Sequence, residues 1–209
     1  VNITSGTEAS GDEEYSREIT ISVNEAQQLA TSVAPADKSS MGLYWKSYDE
    51  GIVKVRDGEI FGVSAGDAIV KVFAGKDEYA NAYDGILVHV VDGSAANPSV
   101  TRMSFGLIPD KSGALVNPTN VTVDVHQNTR IEMKTLVEPW YYDGEVEVKW
   151  RTTSDSIATV SSRGIVTTHK EGTVTIYADL YINGKKTIYS ASTTLNVGAE
   201  FIVQNGYLR

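Results

Sequence analysis

Apolar and polar residues alternate with a period of two in short segments along the whole chain. The clearest of these segments are 121–125, 146–150 and 174–178, where apolar residues occupy every second position. A period of two is typical of a strand that buries one face and exposes the other. Residue pairs that favour tight turns separate such segments: Asp57-Gly58, Asp143-Gly144, Asn183-Gly184 and Asn205-Gly206. The pattern therefore predicts an all-β protein built of sandwiches or barrels.

The two halves of the chain repeat one pattern, and each repeat is centred on one tryptophan. The first four members of each set are separated by identical intervals, and the two glycines follow with one extra residue in the second half. The matched sets are Trp45, Ser47, Ile52, Val55, Gly58 and Gly66, and Trp150, Thr152, Ile157, Val160, Gly164 and Gly172. So many matched intervals indicate an internal duplication. A chain of 209 residues is long enough for two domains, each with its own core.

The residues around both tryptophans resemble a known family. The string WRTTSDSIATVSSRGIVTTHKEGTVTIYA is similar to bacterial immunoglobulin-like group 2 (BIG2) domains, and WKSYDEGIVKV followed by DGEIFGVSAGDAIVKV resembles them as well. The first-half string departs from the family pattern at Tyr48, at Glu50-Gly51 and at Phe61-Gly62. The resemblance covers most of 19–91 and 121–197. In the second half it is carried by Trp150, Asp155, Ile157, Ala158, Val160, Gly164, Val166, Gly172 and Ile176.

This resemblance implies a fold and a class of function. The family folds as an Ig-like β-sandwich, so we expect two tandem Ig-like β-sandwich domains. Trp45 and Trp150 are expected to lie buried between the two sheets, as in other Ig-like sandwiches. The family occurs in tandem in bacterial surface proteins, often in adhesins and long stalks. It has no catalytic residues to carry over, so we expect a protein that is not an enzyme.

Composition shifts place the domain boundaries. We predict a first Ig-like domain over 1–93, a linker over 94–99 and a second Ig-like domain over 100–198. Residues 199–209 carry a hairpin signal and are interpreted either as a hairpin tail or as the start of a further module, similar to the first strand pair of surface leucine-rich repeat proteins of the BspA type. Because Val1 cannot start translation, the chain is expected to be a processed or trimmed form.

Charge and composition exclude several classes of partner and site. The net charge is −9, and it falls entirely in 1–98, which hold 7 Lys+Arg against 16 Asp+Glu. Such a charge argues against nucleic acid and anionic lipid as partners. No apolar run is long enough to span a bilayer, so we expect no membrane insertion. The chain has no cysteine, which excludes disulfides, thiolate zinc sites and a cysteine nucleophile.

The sequence contains no readable catalytic or metal-binding motif. His89, His126 and His169 form no cluster with a serine and a carboxylate, and no phosphate-binding or nucleophile motif occurs. Acidic residues in two loops, Asp77, Glu78 and Asp84 in one and Asp49 and Glu50 in the other, leave calcium open as an alternative. Without a calcium-loop pattern, we expect no metal and no cofactor.

Aromatic residues near turns are the best candidates for ligand binding. Trp140, Tyr141 and Tyr142 stand together in the segment 139–144, and Tyr79 and Tyr83 stand in the segment 75–85. Exposed tryptophan and tyrosine beside polar residues are typical of sugar platforms and protein hot spots. The favoured alternative is that these rings cap a sandwich end or pack between the domains.

These observations favour an extracellular structural or adhesion module of a bacterial surface protein. It would act as a spacer or presentation stalk at the cell surface, and we expect a monomer. The alternative is an adhesin that binds a glycan or a host or cell-surface protein through Trp140, Tyr141, Tyr142, Tyr79 and Tyr83. A third interpretation places the same fold in a phage virion.

Overall fold

The chain folds into two compact units made of β-strands. The computed structural model describes residues 1–9, 14–34, 42–93 and 96–199, and the backbone of 203–204 and 207–208. Unit 1 is Val1–Pro98 and unit 2 is Ser99–Arg209. No helix occurs among the described residues, which confirms the predicted all-β fold class. The finer domain bounds stay a prediction, and residues 94 and 95 of the predicted linker lie outside the described residues.

Unit 1 is a sandwich of a five-stranded and a three-stranded sheet, in the order β2-β3-β10-β9-β6 and β4-β8-β7, with the small pair β1-β5 beside them. Its strands are β1 (Asn2–Ile3), β2 (Thr7–Glu8), β3 (Arg17–Ser22), β4 (Ala26–Gln28), β5 (Thr31–Ser32), β6 (Leu43–Ser47), β7 (Val53–Arg56), β8 (Glu59–Gly62), β9 (Gly66–Ala74) and β10 (Tyr83–Val91).

Unit 2 repeats this plan with a four-stranded sheet, in the order β14-β21-β20-β17, and a three-stranded sheet, β15-β19-β18. The strand pairs β11-β16, β12-β13 and β22-β23 complete its described residues. Its strands are β11 (Arg102–Phe105), β12 (Ile108–Pro109), β13 (Leu115–Val116), β14 (Thr122–His126), β15 (Arg130–Glu132), β16 (Thr135–Glu138), β17 (Val146–Thr152), β18 (Ala158–Val160), β19 (Ile165–Thr168), β20 (Gly172–Ile182), β21 (Lys185–Gly198), β22 (Val203–Gln204) and β23 (Tyr207–Leu208).

Each unit has a hydrophobic core of its own between its two sheets. The alternation along each strand sends every second side chain inward, as the sequence predicts. In unit 1 the core joins Val70, Val72, Ile86 and Val88 of the larger sheet to Val53 and Ile60 of the smaller one. In unit 2 it joins Ile176, Ala178, Leu180 and Leu195 to Ile131, Ala158 and Val166. The remaining face of each larger sheet points outward.

The two tryptophans pack against their cores, but neither is fully buried. Trp45 lies on β6 and Trp150 on β17, and both side chains are half-buried. Each indole extends over the glycine of the turn that opens the next strand. A Cβ atom at Gly58 would lie 3.0 Å from Trp45, and one at Gly164 would lie 2.6 Å from Trp150. Because both glycines also have a positive φ, the turn and the tryptophan together require glycine there. The indole thus closes the edge of the core rather than filling its centre, which corrects the expected full burial.

Candidate binding surface

The outward face of the five-stranded sheet in unit 1 carries a row of three aromatic rings. The strand register places Tyr44 of β6 opposite Phe73 of β9, and Phe73 opposite Tyr83 of β10. The Tyr44 and Phe73 ring centroids are 6.1 Å apart, and those of Phe73 and Tyr83 are 5.7 Å apart. Phe73 is buried beneath its neighbours, whereas 36% of Tyr44 and 51% of Tyr83 are exposed. The row is therefore an aromatic platform held by three paired strands.

Two lysines form the next row of the same face. Lys46 of β6 stands directly opposite Lys71 of β9. Glu78, from the turn between β9 and β10, forms an ion pair with Lys46, and this hydrogen bond raises the pKa of Lys46 above its ordinary value. Lys71 has no ion pair among the described residues. We call Tyr44, Lys46, Tyr48, Lys71, Phe73 and Tyr83 the tyrosine–lysine surface.

The ammonium groups of both lysines lie near tyrosine rings. The Lys71 Nζ atom lies 5.2 Å from the Tyr48 ring centroid and 5.3 Å from that of Tyr83. The Lys46 Nζ atom lies 5.0 Å from the Tyr48 ring centroid. These are cation–π distances. The contacts fix the lysine side chains near the tyrosines, and they leave the ring of Tyr48 52% exposed.

An acidic rim borders the surface on one side. Glu14, Asp49 and Asp67 line a shallow pocket together with Tyr48 and Lys71. Asp67 also contacts His89, whose Nδ1 atom lies 2.7 Å from the Asp67 Oδ1 atom. The His89 Nε2 atom lies 3.3 Å from the Glu18 Oε2 atom. The hydrogen bond to Asp67, opposed by partial burial and helped by Glu18, raises the pKa of His89 above its ordinary value.

The structure separates the two tyrosines that the sequence placed in one loop. Tyr83 is the first residue of β10 and belongs to the tyrosine–lysine surface, so its expected position in a loop is corrected. Tyr79 does lie in the turn between β9 and β10, where 85% of it is exposed and its backbone N–H donates to Asp77. Tyr44 and Tyr48 were missed. Their signal is the alternation around Trp45, which places them on the opposite face of the sheet from the indole.

The aromatic segment of unit 2 is half-buried. Trp140 and Tyr141 meet edge to face with ring centroids 5.4 Å apart. Tyr142 packs against the core of unit 2 and its hydroxyl leaves no room for a Cβ atom at Gly144. All three lie between β16 and β17, as expected. A binding role for these residues, and for Tyr79 and Tyr83, stays a prediction.

The outward face of the four-stranded sheet in unit 2 carries different side chains at the positions that correspond to the tyrosine–lysine surface. Asp179 of β20 is 7% exposed and lies 2.9 Å from the Lys186 Nζ atom and 3.3 Å from the Arg151 Nε atom. The Arg151 guanidinium in turn stacks on Tyr177 at 3.7 Å. Burial alone would raise the pKa of Asp179, but the hydrogen bonds from Lys186 and Arg151 outweigh it and hold this pKa below its ordinary value.

Two of the acidic residues weighed for calcium accept hydrogen bonds from the protein. Asp49 accepts the backbone N–H of Gly51. Asp84 accepts the backbone N–H of Ile3 and the hydroxyl of Ser16. In the described part of the chain, no group of three or more His, Cys, Asp or Glu side chains could hold a metal ion. The same residues contain no helix with the length and apolar character that a bilayer crossing requires.

Comparison with known proteins identifies one domain family. No curated protein matches the chain at a significant level. Among solved structures, the chain is similar to a mutant intimin of EHEC O157:H7, with 20% identity, 47% of each chain covered and a TM-score of 0.32. It is similar to domains 4 and 5 of the S-layer protein SbsC, with 19% identity, 78% of this chain and 73% of that chain covered and a TM-score of 0.32. It is also similar to fibronectin(III)-like modules of Clostridium thermocellum CbhA, with 12% identity, 98% and 97% covered and a TM-score of 0.29.

The chain spans about half the length of the intimin chain that it matches, 47%. The family model of the bacterial Ig-like domain (group 2) matches residues 113–189, which include Trp150, Gly164 and Gly172 of the matched set in unit 2. A second copy of this domain in unit 1 stays a prediction. Residues 113–189 of this chain therefore match the bacterial Ig-like domain of group 2.

Proposed function

We propose that this segment is a mechanical spacer of a bacterial surface protein, which holds another part of that protein away from the cell. The family and the fold are those of structural and adhesion domains. The observation that carries the proposal is the pairing of an early strand with the last long strand in each unit. Arg17–Ser22 pair in parallel with Ile86–Val91 in unit 1, and Thr122–His126 pair in parallel with Thr194–Gly198 in unit 2.

Parallel pairing determines how a unit responds to tension. A force applied through the chain pulls the early strand toward its amino end and the late strand toward its carboxyl end. Two parallel strands loaded in this way slide along each other, so their evenly spaced hydrogen bonds must break together. An antiparallel hairpin pulled at its two free ends would lose its hydrogen bonds one at a time. Each unit therefore has the pairing that resists tension along the chain.

The cores support the same proposal. Val88 and Val90 of β10 and Ile21 of β3 are almost fully buried, so shearing this pair also exposes apolar surface to water. In unit 2, Val123 and Val125 of β14 are likewise buried. Because each unit keeps a core of its own, we expect each one to unfold as a separate event under load.

Single-molecule pulling tests the proposal directly. The chain has no cysteine, so engineered cysteines give unique attachment points in the 209-residue chain. The variant Thr122→Cys with Gly198→Cys loads β14 and β21 in shear. The variant Thr122→Cys with Thr194→Cys pulls the same two strands apart from one end, because residues 122 and 194 are register partners.

We expect a clearly higher unfolding force for the first pair of attachment points than for the second at the same loading rate. Both variants must melt at the temperature of the unmodified chain, so that the comparison reports direction and not stability. Equal unfolding forces would overturn the role of the parallel pair and with it the mechanical proposal.

The second candidate function is adhesion, and the exposed tyrosines of the tyrosine–lysine surface favour it. Large exposed rings on a rigid support are the side chains that dominate recognition. On this alternative the chain binds a glycan or a host or cell-surface protein outside the cell. Binding to a panel of glycans and matrix proteins, lost in Tyr79→Ala with Tyr83→Ala or in Trp140→Ala with Tyr142→Ala, would support adhesion and locate the site in one unit. Binding that all four substitutions leave unchanged would overturn these four residues as the site.

A further inference from the structure

We infer that the tyrosine–lysine surface of unit 1 binds a saccharide that carries carboxylate groups. The inference rests on the second candidate function, adhesion, and names the class of ligand. It follows from three features of the surface: two lysines in direct opposition, tyrosine rings beside them, and a support of paired strands. Each feature restricts the chemistry of the ligand.

The lysine pair favours a ligand with an anionic group. Like charges directly opposite on neighbouring strands destabilise a sheet, yet Lys46 and Lys71 occupy such positions. Glu78 compensates Lys46 alone. A ligand carboxylate that contacts Lys71 from the solvent side would compensate the charge of Lys71 as Glu78 compensates that of Lys46. A charge-assisted hydrogen bond between an ammonium and a carboxylate is among the stronger polar contacts.

The equivalent positions of unit 2 show how the same fold compensates outward cations with a carboxylate of its own. There Arg151 of β17 stands opposite Tyr177, a neutral residue. Asp179, one row along, lies within 3.3 Å of both Arg151 and Lys186. The outward cations of that face thus share a carboxylate that the chain itself supplies. In unit 1 the corresponding residue is Phe73, which carries no carboxylate, and Lys71 has no ion pair among the described residues.

The rings and the paired strands that support them favour a sugar over a peptide. Tyr48 and Tyr83 flank Lys71 and keep half of their surface exposed. A ring face of this kind packs against the apolar face of a pyranose while the ammonium reaches a carboxylate on the same sugar. The register fixes these rings on adjacent strands, so little ordering is required on binding. An extended peptide would instead use a sheet edge or a groove.

The acidic rim determines where the carboxylate sits. Glu14, Asp49 and Asp67 lie beside Lys71 on the Tyr48 side, and they would repel an anion placed there. The ligand carboxylate is therefore directed to the Tyr83 side of Lys71, because Glu78 already pairs with Lys46. At physiological salt the Debye length is about 8 Å, so the charges of unit 1 that lie farther away are largely screened.

Calorimetric titration of the full 209-residue chain tests the inference. The probes are an oligogalacturonate, its methyl ester, which keeps the sugar ring and removes the charge, and an oligoglutamate, which keeps the charge and removes the sugar. Lys71→Gln removes the proposed cation, and Tyr83→Leu removes one ring. Lys185→Gln is the matched control, because it removes one exposed lysine from the start of β21 in unit 2.

We expect the oligogalacturonate to bind, and Lys71→Gln to weaken binding about tenfold, since a hydrogen bond to a charged group contributes about that much. Lys185→Gln should bind as the unmodified chain does, and all variants should keep its melting temperature. Equal binding of the ester, or no effect of Lys71→Gln, would overturn the acidic ligand. If the ester bound and Tyr83→Leu weakened its binding, the second candidate function, adhesion, would still be supported. Equal binding of oligoglutamate, or no binding of the oligogalacturonate, would also overturn the inference.

Discussion

The outward faces of the two larger sheets differ at positions that the two folds share. Trp45 and Trp150 fix the correspondence, because each stands opposite an inward residue of the central strand, Val72 or Ala178. One residue along, unit 1 has an aromatic row where unit 2 has a charged and polar one. The rows are Tyr44, Phe73 and Tyr83 in unit 1, and Lys149, Asp179 and Ser190 in unit 2.

This difference separates what the fold requires from what it leaves free. The inward residues must be apolar in both units, since they form the cores. The outward residues carry no such requirement, and unit 2 uses them for a set of ion pairs around Asp179 that satisfies its own cations. Unit 1 uses the same positions for exposed rings and an unbalanced lysine pair. A surface that leaves its charges unbalanced is the stronger candidate for a binding site.

The largest predicted effect tests whether Trp45 and Trp150 contribute alike to the cores of the two units. Trp45→Ala and Trp150→Ala each remove an indole that closes one end of a core. Each should destabilise its own unit by about 3 kcal/mol, the low end of the range for such truncations, because both rings are half-buried. Trp150 also stacks on Phe105 at 5.7 Å, so its loss should cost slightly more.

Denaturant titration followed by circular dichroism measures both effects, because Trp45→Ala leaves unit 1 without a tryptophan. Tryptophan fluorescence adds a signal for each unit that keeps one. In Trp150→Ala, Trp45 still reports on unit 1, whose transition should not move. A loss below about 1 kcal/mol in either variant would mean that this indole is a surface residue and that the two units differ inside as well as outside.

The strands and the turn glycines could be predicted from the sequence because their causes are local. A period of two and pairs such as Asn183-Gly184 act within a few residues, and the turn is found between β20 and β21 as expected. The repeat around Trp45 and Trp150 also predicted a shared plan. It did not predict the depth of the indoles, which depends on where each sheet ends.

The tyrosine–lysine surface could not be predicted, because it depends on the register of distant strands. Tyr44 and Tyr83 become neighbours of Phe73 only when β6 and β10 pair with β9. In the sequence, Tyr44 and Tyr48 are ordinary outward positions of an alternating strand. The opposition of Lys46 and Lys71 likewise arises from pairing across 25 residues of chain, 71 minus 46, and no local pattern specifies it.

A prediction of intermediate size tests the ion pairs on the outward face of unit 2. Asp179→Asn removes the carboxylate that Arg151 and Lys186 share. We expect unit 2 to lose about 1–2 kcal/mol, a moderate value because solvent screens the two half-exposed cations. A urea titration at neutral pH measures the loss. An unchanged midpoint would show that the ion pairs contribute nothing to stability.

The same variant makes a prediction about acid. The pKa of Asp179 in the folded protein is lower than its ordinary value of 3.8, so the folded state favours the charged form. The stabilisation is therefore complete above a pH of about 4 and is lost as the pH falls through the pKa of the folded state. The difference in unfolding free energy between the unmodified chain and Asp179→Asn should shrink over that range. A difference that stays constant down to the lowest pH would contradict the role of this carboxylate.

The smallest effect on stability is expected when the tyrosine–lysine surface of unit 1 loses the charge of Lys71. Lys71→Gln removes a repulsion across the strands, of a kind that typically costs about 0.2–1 kcal/mol. It also removes cation–π contacts with Tyr48 and Tyr83, of a kind that typically contributes about 0.5–1 kcal/mol. Because the two terms oppose each other, the stability of unit 1 should change by less than about 0.5 kcal/mol. Thermal melts of the variant and of the unmodified chain at several salt concentrations measure this difference. A loss above about 1 kcal/mol that does not depend on salt would make Lys71 a structural residue, and the contrast between the two faces would fail.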